Sequence, residues 1–462
     1  MTAASHRSAE QIGRTSSGPR HLPALGEVRC SPELSHVDTV LPNGLRVVVV
    51  RKGNVPLVEM RLSIPFAGQT PAHAATAEVL AETMLTATAR RDRIAIDTEL
   101  ALIGGEINTV VDPERLAIGG GALASGLPTL LDIVADALTG ASYVDNEVAR
   151  ESARIVERLA VARTQPRIIA REALQQRRYG DHPYTREVPQ AEDVAAVTPE
   201  GVRALHEAAV LPRGSTLVLV GDIDPDAAVT EIGEALGGWG AEGTAAQLAP
   251  LPEISGNDAL LVSRPGAVQS QIRLSAQALP RTDPRYAALQ VANLTFGGYF
   301  SSRLVENIRE DKGYTYSARS GFEFTPHGAT VQVDADTASE VTAAALLETR
   351  YELGRLALVP PTEAEVESAR QYAVGSLLIT TSSQSGLASQ LSALASVGLG
   401  VEWLVAHPER LARVSRDDVA GAALDFFAPS RFTGVVVGDA ETLAPQLNAL
   451  GNVELDGADG AR

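Results

Sequence analysis

TPEGVRALHEAAVLPRGSTLVLVGD at residues 198–222 has a second version, SRDDVAGAALDFFAPSRFTGVVVGD, at residues 415–439. Thr198 is placed to cap a helix with Pro199 in its first turn, and Ser415 opens a similar helix. Each helix leads into an apolar strand, 215–220 or 433–437, closed by Gly221-Asp222 or Gly438-Asp439. Twenty-three residues separate cap from closing glycine in both copies. Working outward, Glu151-Ser152-Ala153-Arg154 recurs as Glu367-Ser368-Ala369-Arg370, and Arg61-Leu62 as Arg273-Leu274. The helical stretch 79–84 is matched more loosely by 291–296. Four matches at offsets of 212 to 217 point to a duplicated module.

The joint between the copies is legible as well. Residues 237–258 are rich in Gly and Pro and lack periodicity, as expected of a linker. Each half begins with strand-like runs, 45–50 with 58–64 and 260–262 with 271–274, and continues through amphipathic helices such as 145–163 and 363–380. Strands separated by pairs of helices predict an α+β fold, with two homologous sheet-plus-helix domains forming one half of a clamshell. The expected division is a disordered tail at 1–34, domains at 35–236 and 259–451 around the linker, and a tail at 452–462.

Composition excludes several function classes. The 462 residues are 45% hydrophobic and 21% charged, ordinary for a globular protein. The most apolar run, 116–141, is interrupted by Asp132 and Asp136, against a membrane span. A net charge of −18 argues against nucleic acid, since neutralising phosphates needs basic surface. Cys30 is the only cysteine, which excludes an internal disulfide and a thiolate metal cluster. Residues 1–34 have no apolar segment of signal-peptide type, and the expectation is a cytoplasmic protein. Gly119-Gly120-Gly121 lacks phosphate-loop spacing and reads as a turn or strand irregularity.

Two further stretches carry chemistry. Phe296-Gly297-Gly298-Tyr299-Phe300-Ser301-Ser302-Arg303-Leu304 is followed by Ile308-Arg309-Glu310-Asp311-Lys312-Gly313-Tyr314-Thr315-Tyr316-Ser317. Together they resemble the C-terminal signature of insulinase/pitrilysin-type metallopeptidases, a small-residue loop, then SRL, then RE-x-x-G-x-x-Y. Asn43-Gly44-Leu45-Arg46-Val47 resembles the family's opening strand, and Asp181-His182-Pro183-Tyr184 its HPY element. The resemblance spans about residues 37–450.

The family's catalytic helix carries His-x-x-Glu-His, with a third ligand, Glu, roughly 75 residues later. Histidines four apart share one helical face and reach one zinc ion, and the intervening Glu serves as general base. Set against Val79-Leu80-Ala81-Glu82-Thr83, both histidine positions are lost and the base survives as Glu82. The third ligand then falls on Glu157 and an accessory acid seven residues earlier on Arg150. Glu82 and Glu157 read as ordinary helix residues. No other histidines pair at metal-binding spacing, and His73 reads as a solvated loop residue. The expectation is therefore no metal site and no cofactor in this chain, with zinc in a partner.

Arg309 and Tyr316 keep the seven-residue separation of the family's Arg–Tyr pair. The resemblance implies that the phenol stabilises an oxyanion while the guanidinium holds a substrate carbonyl. Gly297 and Gly298 are candidates for close approach of an extended peptide, with a helix C-cap the equal alternative. The resemblance implies a non-catalytic subunit that binds peptide and lends Arg309 and Tyr316 to a homologous zinc-binding partner, as in heterodimeric members. The alternative is a purely structural scaffold, as in the family's respiratory-complex subunits.

Overall fold

The structure, a computed structural model, describes residues 34–240, 243–256, 258–451 and 453–455. Strands β1 (His36–Val40), β2 (Arg46–Arg51), β3 (Leu57–Pro65), β4 (Glu106–Val111), β5 (Arg115–Leu123) and β6 (Thr216–Gly221) form one sheet. Strands β7 (Ala259–Ser263), β8 (Gln269–Ala278), β9 (Thr315–Thr325), β10 (Gly328–Ala338), β11 (Thr433–Gly438) and β12 (Val453–Leu455) form the other. The orders are β1-β2-β6-β3-β5-β4 and β12-β7-β11-β8-β10-β9; five strands repeat in the same topology, while the sixth differs, β1 running antiparallel to β2 and β12 parallel to β7. The expected α+β fold of two homologous sheet-plus-helix domains is the fold observed.

The duplication extends to single side chains. Arg61 Nη1 donates to the carbonyl of Met60 at 2.7 Å and to that of Gly120 at 3.4 Å. Arg273 Nη1 donates to the carbonyl of Ile272 at 2.8 Å and to that of Ala335 at 3.3 Å. The paired caps also form: Thr198 accepts from Gly201 N–H, and Ser415 closes a capping box with Asp418.

Three expectations change. Gly119, Gly120 and Gly121 lie inside β5, in unbroken register with Arg61, Met60 and Glu59 of β3. A Cβ on Gly120 would stand 2.9 Å from the Glu106 carbonyl oxygen, so the run reflects close strand approach instead of a turn. Residues 453–455, read as tail, form β12, which pairs parallel with β7 in the place that β1 holds in the first sheet. His73 sits in the first turn of helix Pro71–Thr83, half-buried, with Nε2 2.9 Å from the Phe66 carbonyl oxygen. The expected tail at 1–34 and the rest of 452–462 lie almost wholly outside the described residues, and the linker carries no helix or strand among its described residues.

The halves interlock. Helix Pro166–Tyr179 of the first half packs Ala170 and Leu174 on Val435 and Val437 of β11. Helix Gln384–Ala395 of the second half packs Leu387, Ala388 and Leu391 on Val48, Val50, Val218 and Val220 of β2 and β6. Gln384 Nε2 donates to the carbonyls of Lys52, Val55 and Leu57 at 2.6, 3.0 and 3.2 Å. Each sheet thus has its second face covered by a helix that the other half supplies. A sheet hydrophobic on both faces needs such a cover, and neither half completes its core alone.

Burial also sets an acid limit. His407 is 3% exposed, stacked 4.4 Å from the Trp403 ring, with Nε2 donating to Gln290 Oε1 at 2.8 Å. Burial, aided by the charges of Arg410 and Arg281, pushes its pKa down to about 3. Burial lowers His206 and His73 as well. A histidine whose folded value lies below its unfolded one gains its proton on unfolding. Its stabilisation is complete above about pH 6.5 and is lost as pH falls toward the folded value. Unfolding free energy is expected to drop by about 2 kcal/mol between pH 6.5 and pH 5 from His407 alone. Denaturant titrations at the two pH values check this, and His407→Gln flattens the dependence.

Candidate functional site

Helix Pro71–Thr83 is capped by Thr70, whose side chain accepts from His73 N–H, and begins with proline. Its buried residues are Ala75, Ala77, Val79, Leu80, Ala81 and Thr83, and both Val79 and Thr83 have no exposure. The Thr83 hydroxyl donates back to the Val79 carbonyl at 2.6 Å. The two positions assigned to the lost histidines therefore face the core, where no metal could be shared with a second helix.

The i,i+4 pair that does face helix Asp145–Ala162 is Glu78 and Glu82. Arg158 reaches between them, Nη1 donating to Glu82 Oε1 at 2.7 Å and Nη2 to Glu78 Oε1 at 2.8 Å. Arg154 Nη2 donates to the other oxygen of Glu82 at 3.2 Å and its Nε pairs with Glu151 at 2.8 Å. Glu157 is exposed and makes no ion pair among the described residues. The register is thus one residue from the sequence reading. Glu78 and Glu82 have the four-residue spacing of the family's histidines, with Ala81 where its base would fall, and Arg158 and buried Glu151, seven residues apart, stand on the facing helix. The missed signal is the phase of the apolar stripe, which places 79 and 83 inward and 78 and 82 outward.

This donor set does not fit zinc. Two carboxylates converge on a guanidinium, and a fixed cation already neutralises the point at which a metal would have to sit. Burial first, and then the neighbouring Glu82 charge, raise the Glu78 carboxyl against the pull of Arg158. For Arg158, burial opposes the charge, but the hydrogen bond to Glu82 and the charges of Glu82 and Glu78 outweigh it and raise its pKa. The cluster is an ion-pair network with no imidazole and no general base.

The second-half residues lie on β9 and the turns before it. Tyr316 is 96% exposed on β9, which is the edge strand of its sheet. The Arg309 guanidinium lies 4.8 Å from the centre of the exposed Phe300 ring and pairs with Glu310 at 3.4 Å. Gly297 and Gly298 end a π-helical turn, Leu294–Gly298. Gly297 is buried against β9, where a Cβ would meet that of Ser320 at 3.0 Å, and Gly298 is half-buried against Leu294. Arg303 of the SRL element is buried and bidentate to Glu365, at 2.6 and 3.0 Å. That pairing holds the Glu365 carboxyl down at about 2 against the effect of burial. In the HPY element Tyr184 donates to buried Glu114, which also pairs with His327 of the second half at 2.6 Å. Arg303 and Tyr184 are thus structural ties.

Comparison with known proteins agrees with this anatomy. Residues 69–192 match the insulinase (peptidase family M16) model and residues 196–372 the peptidase M16 inactive domain model. The chain is 25% identical over 443 residues to an uncharacterized zinc protease of Mycobacterium bovis, covering 94% of this chain and 99% of that one. It is 27% identical over 330 residues to one of Streptomyces coelicolor, covering 69% and 70%. Among solved structures, a peptidase M16 inactive domain from Pseudomonas fluorescens superposes with TM-score 0.80 at 20% identity, covering 88% of this chain and 98% of that one. A protease from Helicobacter pylori gives 0.81 at 17%, covering 88% and 99%. The chain belongs to the insulinase-like M16 peptidase family, as a non-catalytic member whose inactive-domain match and Glu–Arg cluster fit the lack of a catalytic zinc. No described helix is long and apolar enough to cross a membrane.

Proposed function

We propose that this chain is the zinc-less subunit of a heterodimeric zinc endopeptidase. It closes over a homologous subunit with an intact His-x-x-Glu-His helix, holds the peptide, and lends Arg309 and Tyr316 to the partner's active site. The observation that carries this reading is Tyr316, whose phenol is 96% exposed and has no hydrogen bond among the described residues. A tyrosine so placed does nothing for its own fold and is available as an O–H donor to another surface. A scaffold role alone gives no reason to keep it outside. The partially exposed Arg309 beside Phe300 extends the same face, and half-buried Gly298 leaves backbone accessible near it.

The test is co-expression with the zinc-binding homologue of the same genome, followed by purification of the pair and peptide cleavage assays. The expected result is a stable complex that cleaves peptides left intact by either subunit alone. A pair that forms without any gain in cleavage would leave the structural scaffold as the role.

A further inference from the structure

Because the halves are duplicates, each sheet has an equivalent cleft beneath the helix lent by the other half. In the first half the cleft has a volume of about 450 Å³, and its charged lining is Arg61 against Glu59 and Glu106. There the covering helix presents serines: Ser385 and Ser389 accept from Arg61 at 2.7 and 3.4 Å. In the second half the cleft is about 540 Å³ and is lined by Arg167, Arg171, Arg178, Arg273 and Arg319, against Glu323 and Asp334. The fold dictates the shape of both clefts but not this difference in charge. A concentration of arginine is also unexpected in a chain of net charge −18.

We infer that the second cleft binds an acidic segment of extended peptide. Its arginines are only partly committed. Arg167 is exposed with no ion-pair partner among the described residues. Arg319 is held to Asp334 at 2.8 Å yet is 74% exposed, and Arg171, paired with Glu187, is 53% exposed. At the floor, Arg178 is buried and spends Nη1 on Ser275, Glu323 and Thr330, but its Nε is buried without a partner. Arg273 is bound to Asp334 and Asp336 and serves as fixed charge. Arg167 to Arg178 covers eleven residues of helix, about 16 Å at 1.5 Å per residue. An extended chain spans that length in about five residues, so carboxylates on alternate residues meet the exposed guanidiniums of Arg167 and Arg171, with buried Arg178 and Arg273 as fixed positive charge beneath them. Gly321 of β9 opens the sheet side, since nothing lies within 4 Å of where its Cβ would stand.

This inference deepens the peptide-binding part of the proposed function and is read on the single full-length chain. A failed composite active site therefore leaves it standing, and its own failure leaves that site untouched. The probe is a fluorescently labelled short peptide with glutamate at alternate positions, titrated by anisotropy beside its glutamine counterpart. The acidic peptide is expected to bind at least about tenfold more tightly, an advantage that added salt erodes. Arg167→Glu and, separately, Gly321→Leu should each weaken it about tenfold while circular dichroism and thermal midpoint stay those of the parent. Equal affinity for both peptides, or undiminished binding by both variants, would overturn the inference. So would displacement of the peptide by inorganic phosphate at matched charge.

Discussion

Tyr316→Phe is expected to lower turnover by the assembled pair about 10²- to 10³-fold, the effect of removing one well-placed oxyanion donor. The change deletes a single hydroxyl from a residue that is 96% exposed and has no hydrogen bond among the described residues, so stability should move by no more than about 0.5 kcal/mol. The loss belongs to kcat, with KM little altered, because a phenol aimed at developing charge is used in the transition state and scarcely in the ground state. Arg309→Lys keeps the charge but loses the planar fork, and a raised KM is its expected mark. Steady-state kinetics of the pair with each variant separate the two roles. Unchanged kcat in Tyr316→Phe would remove the tyrosine from the chemistry and leave peptide holding as this chain's contribution.

The second large effect is a gain. Glu78→His, Glu82→His and Arg158→Glu together place two imidazoles four apart on one helical face and a carboxylate opposite, the His₂Glu set of catalytic zinc sites. The side chains replaced already meet at 2.7 and 2.8 Å across the two helices, so the three positions converge on one point. The triple variant is expected to bind one zinc per chain, read by calorimetry and by metal content after dialysis. Binding should weaken as pH falls and the imidazoles protonate. It would still lack a general base, because Ala81 occupies that position. Hydrolysis is therefore not expected from the triple variant alone. Failure to take up zinc would show that the cluster does not stand where the metal stands in active relatives.

Much of this could be read without coordinates. The twin segments at 198–222 and 415–439 stated the duplication, and both caps and both closing strands form as read. Three things were not legible. The exchange of helices Pro166–Tyr179 and Gln384–Ala395 escapes the sequence because an amphipathic face specifies an apolar partner and not which sheet supplies it. The arginine cleft escapes because its members are scattered from 167 to 319 and converge only when the halves interlock. The metal-site register escaped for a different reason. Matching acid to acid selects Glu82 as the base, whereas burial at Val79 and Thr83 decides the phase. Conversely, SRL and HPY were legible as motifs but not as structure. Arg303 turns inward to Glu365 and Tyr184 to Glu114, so part of the signature is kept for folding.

If Arg158 has taken the place of the catalytic cation, the chain has no room for zinc between Glu78 and Glu82. Equilibrium dialysis of the purified single chain against zinc at neutral pH, followed by elemental analysis, tests it most directly. No stoichiometric zinc is expected in the parent chain, and no change when Arg158 is replaced by Lys, which keeps the charge. One tightly held zinc per parent chain, lost on substitution of Glu78 or Glu82, would contradict it.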